Sequence, residues 1–153
     1  MYKILVTIDG SEHSSKTIQE AIRRAEPVDA AVTLLHVAET PSYTDYYKAF
    51  VPSGTVDGDE LRKNVEALEQ EYADNADNIV NKAAQAFKEK GLEVKKSWKE
   101  GRPADVICSE AEEGAFDLVV IGNKGTGAFG GFFMGSVANE TINCIKNRVL
   151  VVK

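Results

Sequence analysis

The sequence predicts an α/β protein: a doubly wound, five-stranded parallel sheet with helices on both faces and strand order 3-2-1-4-5. Three observations point to it. Short apolar runs rich in β-branched residues alternate with longer stretches whose apolar residues recur every three or four positions, in the order β-α-β-α-β-α-β-α-β. That alternation is the one a parallel sheet requires, each strand returning through a helix. The fourth strand runs directly into a glycine-rich loop that opens a helix. Strands alternating this way wind outward from the first in both directions, so the first and fourth lie side by side and ligands bind beyond their carboxyl ends. With 153 residues the chain is long enough to bury a core, and 1–153 reads as one domain with a long loop at 39–59.

The elements follow in order. Residues 2–8 form a buried strand that Asp9-Gly10-Ser11 breaks. Ser11 can cap a helix through Arg24 whose apolar face holds Ile18, Ala21, Ile22 and Ala25, and Pro27 ends it. Residues 31–37 are a second buried strand. The stretch 39–59 holds Pro41, Pro52, Gly54 and Gly58 with Tyr43, Tyr46, Tyr47 and Phe50, and reads as a long loop serving as a lid or partner surface. From 60 to 90, Leu61, Val65, Leu68, Tyr72, Ala76, Ile79, Ala83 and Phe87 fall three and four apart, which marks one long amphipathic helix with Gly91 as its C′ residue. Residues 92–98 alternate apolar and polar as a half-exposed edge strand does. Pro103 then takes the first position of a third helix, with Val106, Ile107 and Ala111 facing inward. A strand at 117–121, a helix at 136–146 and a strand at 148–152 complete the chain.

Charge narrows the partners. Eighteen Lys and Arg against 24 Asp and Glu give a net charge of −6, and no basic cluster occurs, which argues against nucleic acid or an anionic membrane as the partner. Phosphate binding would therefore rest on local backbone geometry. No apolar run approaches membrane length, and the chain opens directly on a strand, so the expected location is the cytoplasm. Cys108 and Cys144, far apart and without metal-ligand or CxxC spacing, are expected as reduced packing thiols.

The chemistry-bearing segment is Gly122-x2-Gly125-x9-Gly135-Ser136. Glycines there let backbone N–H groups approach phosphate oxygens, and a helix start adds positive dipole; Ser136 offers a hydroxyl and an N–H, and Val137 another N–H. The same glycines could instead shape a strand-to-helix turn. Residues 125–130 match GxGxxG, but after the fourth strand rather than the first, which argues against a dinucleotide dehydrogenase; GxxxxGK[ST] does not occur. Asp9 ends the first strand at the switch point, either as a turn residue or as a contact to base or ribose. His36 and Val37 end the second strand, where backbone groups could read an adenine edge, and His36 itself reads as a packed, hydrogen-bonded histidine. Lys124 points either to phosphate or to water. Neither histidine has the partner pattern of a catalytic site, so no catalytic residue and no protein metal ligand is assigned. The closing edge strand Val149, Leu150, Val151 and Val152 invites pairing with a second copy.

These residues together resemble the universal stress protein family. The opening Lys3-Ile4-Leu5-Val6-Thr7-Ile8-Asp9-Gly10-Ser11, then Leu35-His36-Val37, Gly101-Arg102-Pro103-Ala104, the spaced glycine signature and Val149-Leu150-Val151-Val152 carry the resemblance, which spans nearly the whole chain outside 39–59. It implies the adenine nucleotide alpha hydrolase-like fold, homodimers through the last strand and, in one branch, bound ATP with Mg2+ or Mn2+. Carried over by position, Asp9 and Val37 would sit at the adenine, Gly122 and Gly125 along ribose and phosphates, and Gly135, Ser136 and Val137 at the phosphates. Many relatives carry Lys or Arg between the second and third glycines; here Thr126 to Met134 has no cation and extra glycines, which predicts weaker phosphate affinity or a more mobile loop. The resulting expectation is an ATP-binding stress sensor or adaptor with an unknown protein partner. A dimeric scaffold that binds no nucleotide, and a slow ATPase or phosphotransferase acting through Ser136, are the alternatives.

Overall fold

The computed structural model describes residues 1–39, 58–124 and 134–153. Gly125, most of the 39–59 loop and most of the cation-free span that follows Gly125 lie outside the described residues. The elements are β1 (Lys3–Ile8), α1 (Ser14–Ala25), a 3-10 turn (Glu26–Val28), β2 (Ala31–Ala38), α2 (Gly58–Lys88), β3 (Val94–Glu100), α3 (Pro103–Glu113), β4 (Leu118–Gly122), α4 (Ser136–Cys144) and β5 (Arg148–Val152). The sheet has the expected order β3-β2-β1-β4-β5, and every neighbouring pair is parallel.

Alternation along the central strand divides the core. Ile4, Val6 and Ile8 point to one face, where they pack with Ala21, Ile22, Val80, Ala83 and Phe87 from α1 and α2. Leu5 points to the other, with Ile107, Ala111 and Ala138 from α3 and α4. Period two on β1 thus meets two separate helical stripes, the arrangement a doubly covered strand requires. Phe87, Ile4, Leu5, Leu34 and Leu35 are among the largest fully buried side chains.

Helix ends explain the boundaries. Helix α2 closes on a Schellman motif: the Leu92 N–H donates to the Phe87 carbonyl at 3.0 Å and the Gly91 N–H to the Lys88 carbonyl at 2.9 Å, with Gly91 at C′ as the sequence predicts. Pro103 takes the first position of α3. Three expectations need correction. Helix α1 starts at Ser14 with His13, not Ser11, at its N-cap, and no side-chain hydrogen bond caps it; the Ser11 hydroxyl donates to Asp9 Oδ1 instead, at 2.7 Å. Helix α4 stops at Cys144, because Ile145 is already extended. Finally, Cys108 and Cys144 are not free thiols: they form a disulfide across a 6.1 Å Cα–Cα separation. Helices α3 and α4 pack side by side on one sheet face, and that packing brings together two cysteines 36 residues apart.

Candidate functional site

A cavity of about 560 Å3 opens at the carboxyl ends of β1, β2 and β4, within the range of small-ligand sites. Its floor is the strand ends, including Asp9, His36, Val37 and Gly122; Pro103 and Ile107 of α3 and Ser136, Val137 and Ala138 of α4 form one wall, and Tyr72, Asn75 and Ile79 of α2 the other. Of the residues singled out in the sequence, Asp9, Val37, Gly122, Gly135, Ser136 and Val137 all border this one space. Gly125 is outside the described residues.

At β1 the chain turns through Gly10, whose φ is +78° and whose absent Cβ leaves room for Ile79; a Cβ would lie 2.8 Å from the Ile79 Cδ1. Both the left-handed backbone and the close approach select glycine. The turn is fixed by Asp9. Its Oδ1 accepts from the Ser11 N–H at 3.0 Å, the Ser11 hydroxyl at 2.7 Å and the Ser14 hydroxyl at 2.8 Å. Oδ1 is thus committed to the turn, while Oδ2 makes no protein hydrogen bond among the described residues. Asp9 combines the turn role with a position on the cavity floor.

The α4 end of the cavity is built by Asn123 and Gly135. The Asn123 N–H donates to the Val152 carbonyl at 2.7 Å, and its carbonyl accepts from the Gly135 N–H at 2.8 Å. A Cβ at Gly135 would lie 2.6 Å from that carbonyl oxygen, so only glycine lets the two backbones close. Gly135 is the N-cap of α4 and supplies no side-chain cap. The N–H groups of Ser136 and Val137 therefore open the helix without a side-chain cap, and both residues line the cavity. Asn123 is 7% exposed and its Oδ1 has no hydrogen-bond partner among the described residues. A buried, unmet acceptor in a cavity wall is a place for a ligand or water donor.

At the other end, His36 is a hydrogen-bonded histidine, as the sequence predicts. Its Nδ1 donates to the Ile8 carbonyl at 2.9 Å, which leaves Nε2 as the ring's acceptor. Charged groups on the cavity lining are Asp9 and Glu39, with Lys124 beside the glycine segment. Among the described residues no group of three His, Cys, Asp or Glu side chains is arranged to hold a metal ion, and no helix is long and apolar enough to cross a membrane. The α2 wall was not singled out from the sequence, since Tyr72 and Ile79 belong to the same stripe that packs the core. Asn123 belongs to no motif; its one signal in the sequence is its place directly after a strand-terminal glycine.

The family model for "Universal stress protein family" matches residues 1–153. A curated relative, universal stress protein YxiE of Bacillus subtilis, is 31% identical over 99% of this chain and 98% of its own. Among solved structures, UspA from Lactobacillus plantarum superposes with a TM-score of 0.76 at 21% identity, covering 99% of this chain and 97% of that one. The Archaeoglobus fulgidus universal stress protein in complex with dAMP gives a TM-score of 0.68 at 20% identity, covering 100% of this chain and 98% of its own.

Proposed function

The chain belongs to the universal stress protein family, and from that premise we propose that it binds an adenine nucleotide, ATP in particular, and acts as a nucleotide-dependent stress sensor or adaptor. The observation that carries this reading is the start of α4. Its first two residues, Ser136 and Val137, carry no side-chain cap and line the cavity of about 560 Å3. Phosphates belong at that end, where aligned peptide dipoles and unpaired N–H groups compensate negative charge in an otherwise acidic chain. Adenine then lies toward Asp9 and Val37, and the ribose beside Gly122 and Gly125. The solved relatives with dAMP, cAMP and AMP support the choice of an adenine nucleotide.

A divalent cation, Mg2+ or Mn2+, would be held by the phosphates and water rather than by a cluster of protein carboxylates, as magnesium usually is beside nucleotides. Its contribution is to neutralise phosphate charge. Binding orders the glycine segment and alters the surface around the cavity, which a protein partner reads. Two copies pair through β5, whose apolar edge is half-buried in the single chain.

The test is mass spectrometry of ligand released on denaturing the fresh protein, followed by calorimetric titration of the emptied protein with ATP and magnesium. Co-purified nucleotide or saturable heat is the expected result. No ligand and no heat would overturn it in favour of a dimeric scaffold.

A further inference from the structure

We propose that Cys108 and Cys144 form a thiol–disulfide exchange site, taking small thiols or dithiols as its redox partners, and that its state sets how tightly the cavity holds nucleotide. The proposal rests on the nucleotide reading. Its basis is where the disulfide sits. Cys108 follows Ile107 on α3, and Ile107 and Pro103 line the cavity; Cys144 is the last residue of α4, whose first turn supplies Ser136 and Val137. The covalent loop closed by the bond contains β4, the whole glycine signature and α4. The bond therefore fastens to α3 the far end of the helix that carries Ser136 and Val137, while the Gly122 end of the segment is held in the sheet.

Helix α4 depends on such fastening. It has nine residues and buries only Ala138 and Thr141, well under the about 12 residues at which an isolated helix becomes even marginal. Besides that small buried face, an ion pair between Arg102 and Glu140 holds it to the start of α3, and both partners are exposed, which weakens the pair. The disulfide is the strongest tie between the two helices.

The bond is also reachable. Cys144 is exposed and Cys108 half-buried, so an external thiolate meets Cys144 Sγ first. Attack there breaks the S–S bond, forms a mixed disulfide on Cys144 and releases Cys108 as a thiolate that takes a proton. A second thiol attacks the mixed disulfide and leaves as the oxidised small disulfide, and Cys144 gains its proton; two electrons and two protons pass to the protein in total. The structure accommodates the product: Cys144 Sγ lies 3.1 Å from the Thr141 carbonyl oxygen, an acceptor that only the thiol form can use. Reduction releases the far end of α4 from α3, so its first turn must be ordered by the nucleotide itself, and affinity falls.

The experiment compares wild-type protein, fully oxidised or fully reduced as verified by thiol alkylation and intact mass, in calorimetric titrations with magnesium ATP. Reduced protein is expected to bind about tenfold more weakly, within the usual range of coupling between sites. Reciprocity requires saturating ATP to shift the disulfide equilibrium in glutathione buffers by the same factor, about 30 mV toward more negative potential. The Cys108→Ser/Cys144→Ser variant should bind as the reduced protein does in either buffer. Equal ATP affinity in both redox states, with an unmoved glutathione equilibrium, overturns the coupling and leaves the nucleotide reading intact. Absence of ATP binding in both states overturns the nucleotide reading, and the coupling with it. If the double variant does not fold, the two wild-type states still decide.

Discussion

Asn123 concentrates the site's logic in one residue. Its main chain ties β4 to β5 and to the α4 cap, while its side-chain oxygen is buried and meets no donor among the described residues. Function and stability can be separated here. Asn123→Ala keeps both backbone bonds and removes an unmet acceptor, so the empty protein should melt within a few degrees of wild type. If a ligand hydroxyl or amino group meets that oxygen, the same change should weaken ATP by about 1–2 kcal/mol, roughly 5- to 30-fold, by calorimetry. An unchanged affinity would remove Asn123 from the site. Gly135 behaves differently. A methyl group there collides with the Asn123 carbonyl, so Gly135→Ala must displace the helix start whether or not a ligand binds. We expect it to lower both thermal stability and ATP affinity, and it therefore tests geometry rather than chemistry. Ser136→Ala spares the N–H groups and should reduce affinity only modestly, leaving phosphate release at background; release that exceeds background in wild type and vanishes in this variant would favour the phosphotransferase.

At the level of elements, the strands and the long helix were legible because each carries a clear period. Four of the five strands lie where β-branched runs fall, while β3, expected from its alternation at 92–98, runs two residues later, because Leu92 is spent on the helix end; Gly91 ends α2 through the bonds its type predicts. Phe87 shows how much rests on that helix end: it is fully buried and accepts the Leu92 N–H. Phe87→Ala should cost about 3–5 kcal/mol in urea unfolding, as large-to-small core changes do. What escaped notice has local causes. Ser11 reads as a helix cap, but the Asp9 carboxylate, two residues earlier, accepts from both its hydroxyl and its N–H and holds it in the turn ahead of the helix, which begins only at Ser14. The cysteine pairing was invisible because it depends on how α3 and α4 rotate against the sheet, which no sequence period reports. The α2 wall was hidden in plain sight, since one helical stripe serves the core at Ala76, Val80 and Ala83 and the cavity at Tyr72 and Ile79. Six of the residues expected at the site do converge, because strand ends in a doubly wound sheet must.

For the whole molecule, the sheet has two edges of different character. Strand β3 carries Lys95, Lys96 and Lys99 along its length, charges that discourage pairing with another sheet. Strand β5 presents Val149, Leu150, Val151 and Val152 with no lysine among them. The proposed dimer follows from that contrast, and Val151→Lys should shift sedimentation from dimer to monomer; a wild-type protein that sediments as a monomer would remove the proposal. The position of β1 between β2 and β4 has a further consequence, for biosynthesis. Its pairing with β2 joins residues about thirty apart, but Ile4 meets Leu118 only after β2, α2, β3 and α3 have all been made. During translation, then, the central strand waits with one hydrogen-bonding edge open while β2 and β3 assemble on the other, a slow, high-contact-order closure. The cavity at the strand ends forms at that same late seam, so a ligand bound there can reward only a chain that has already brought β4 beside β1 and cannot template the growing one.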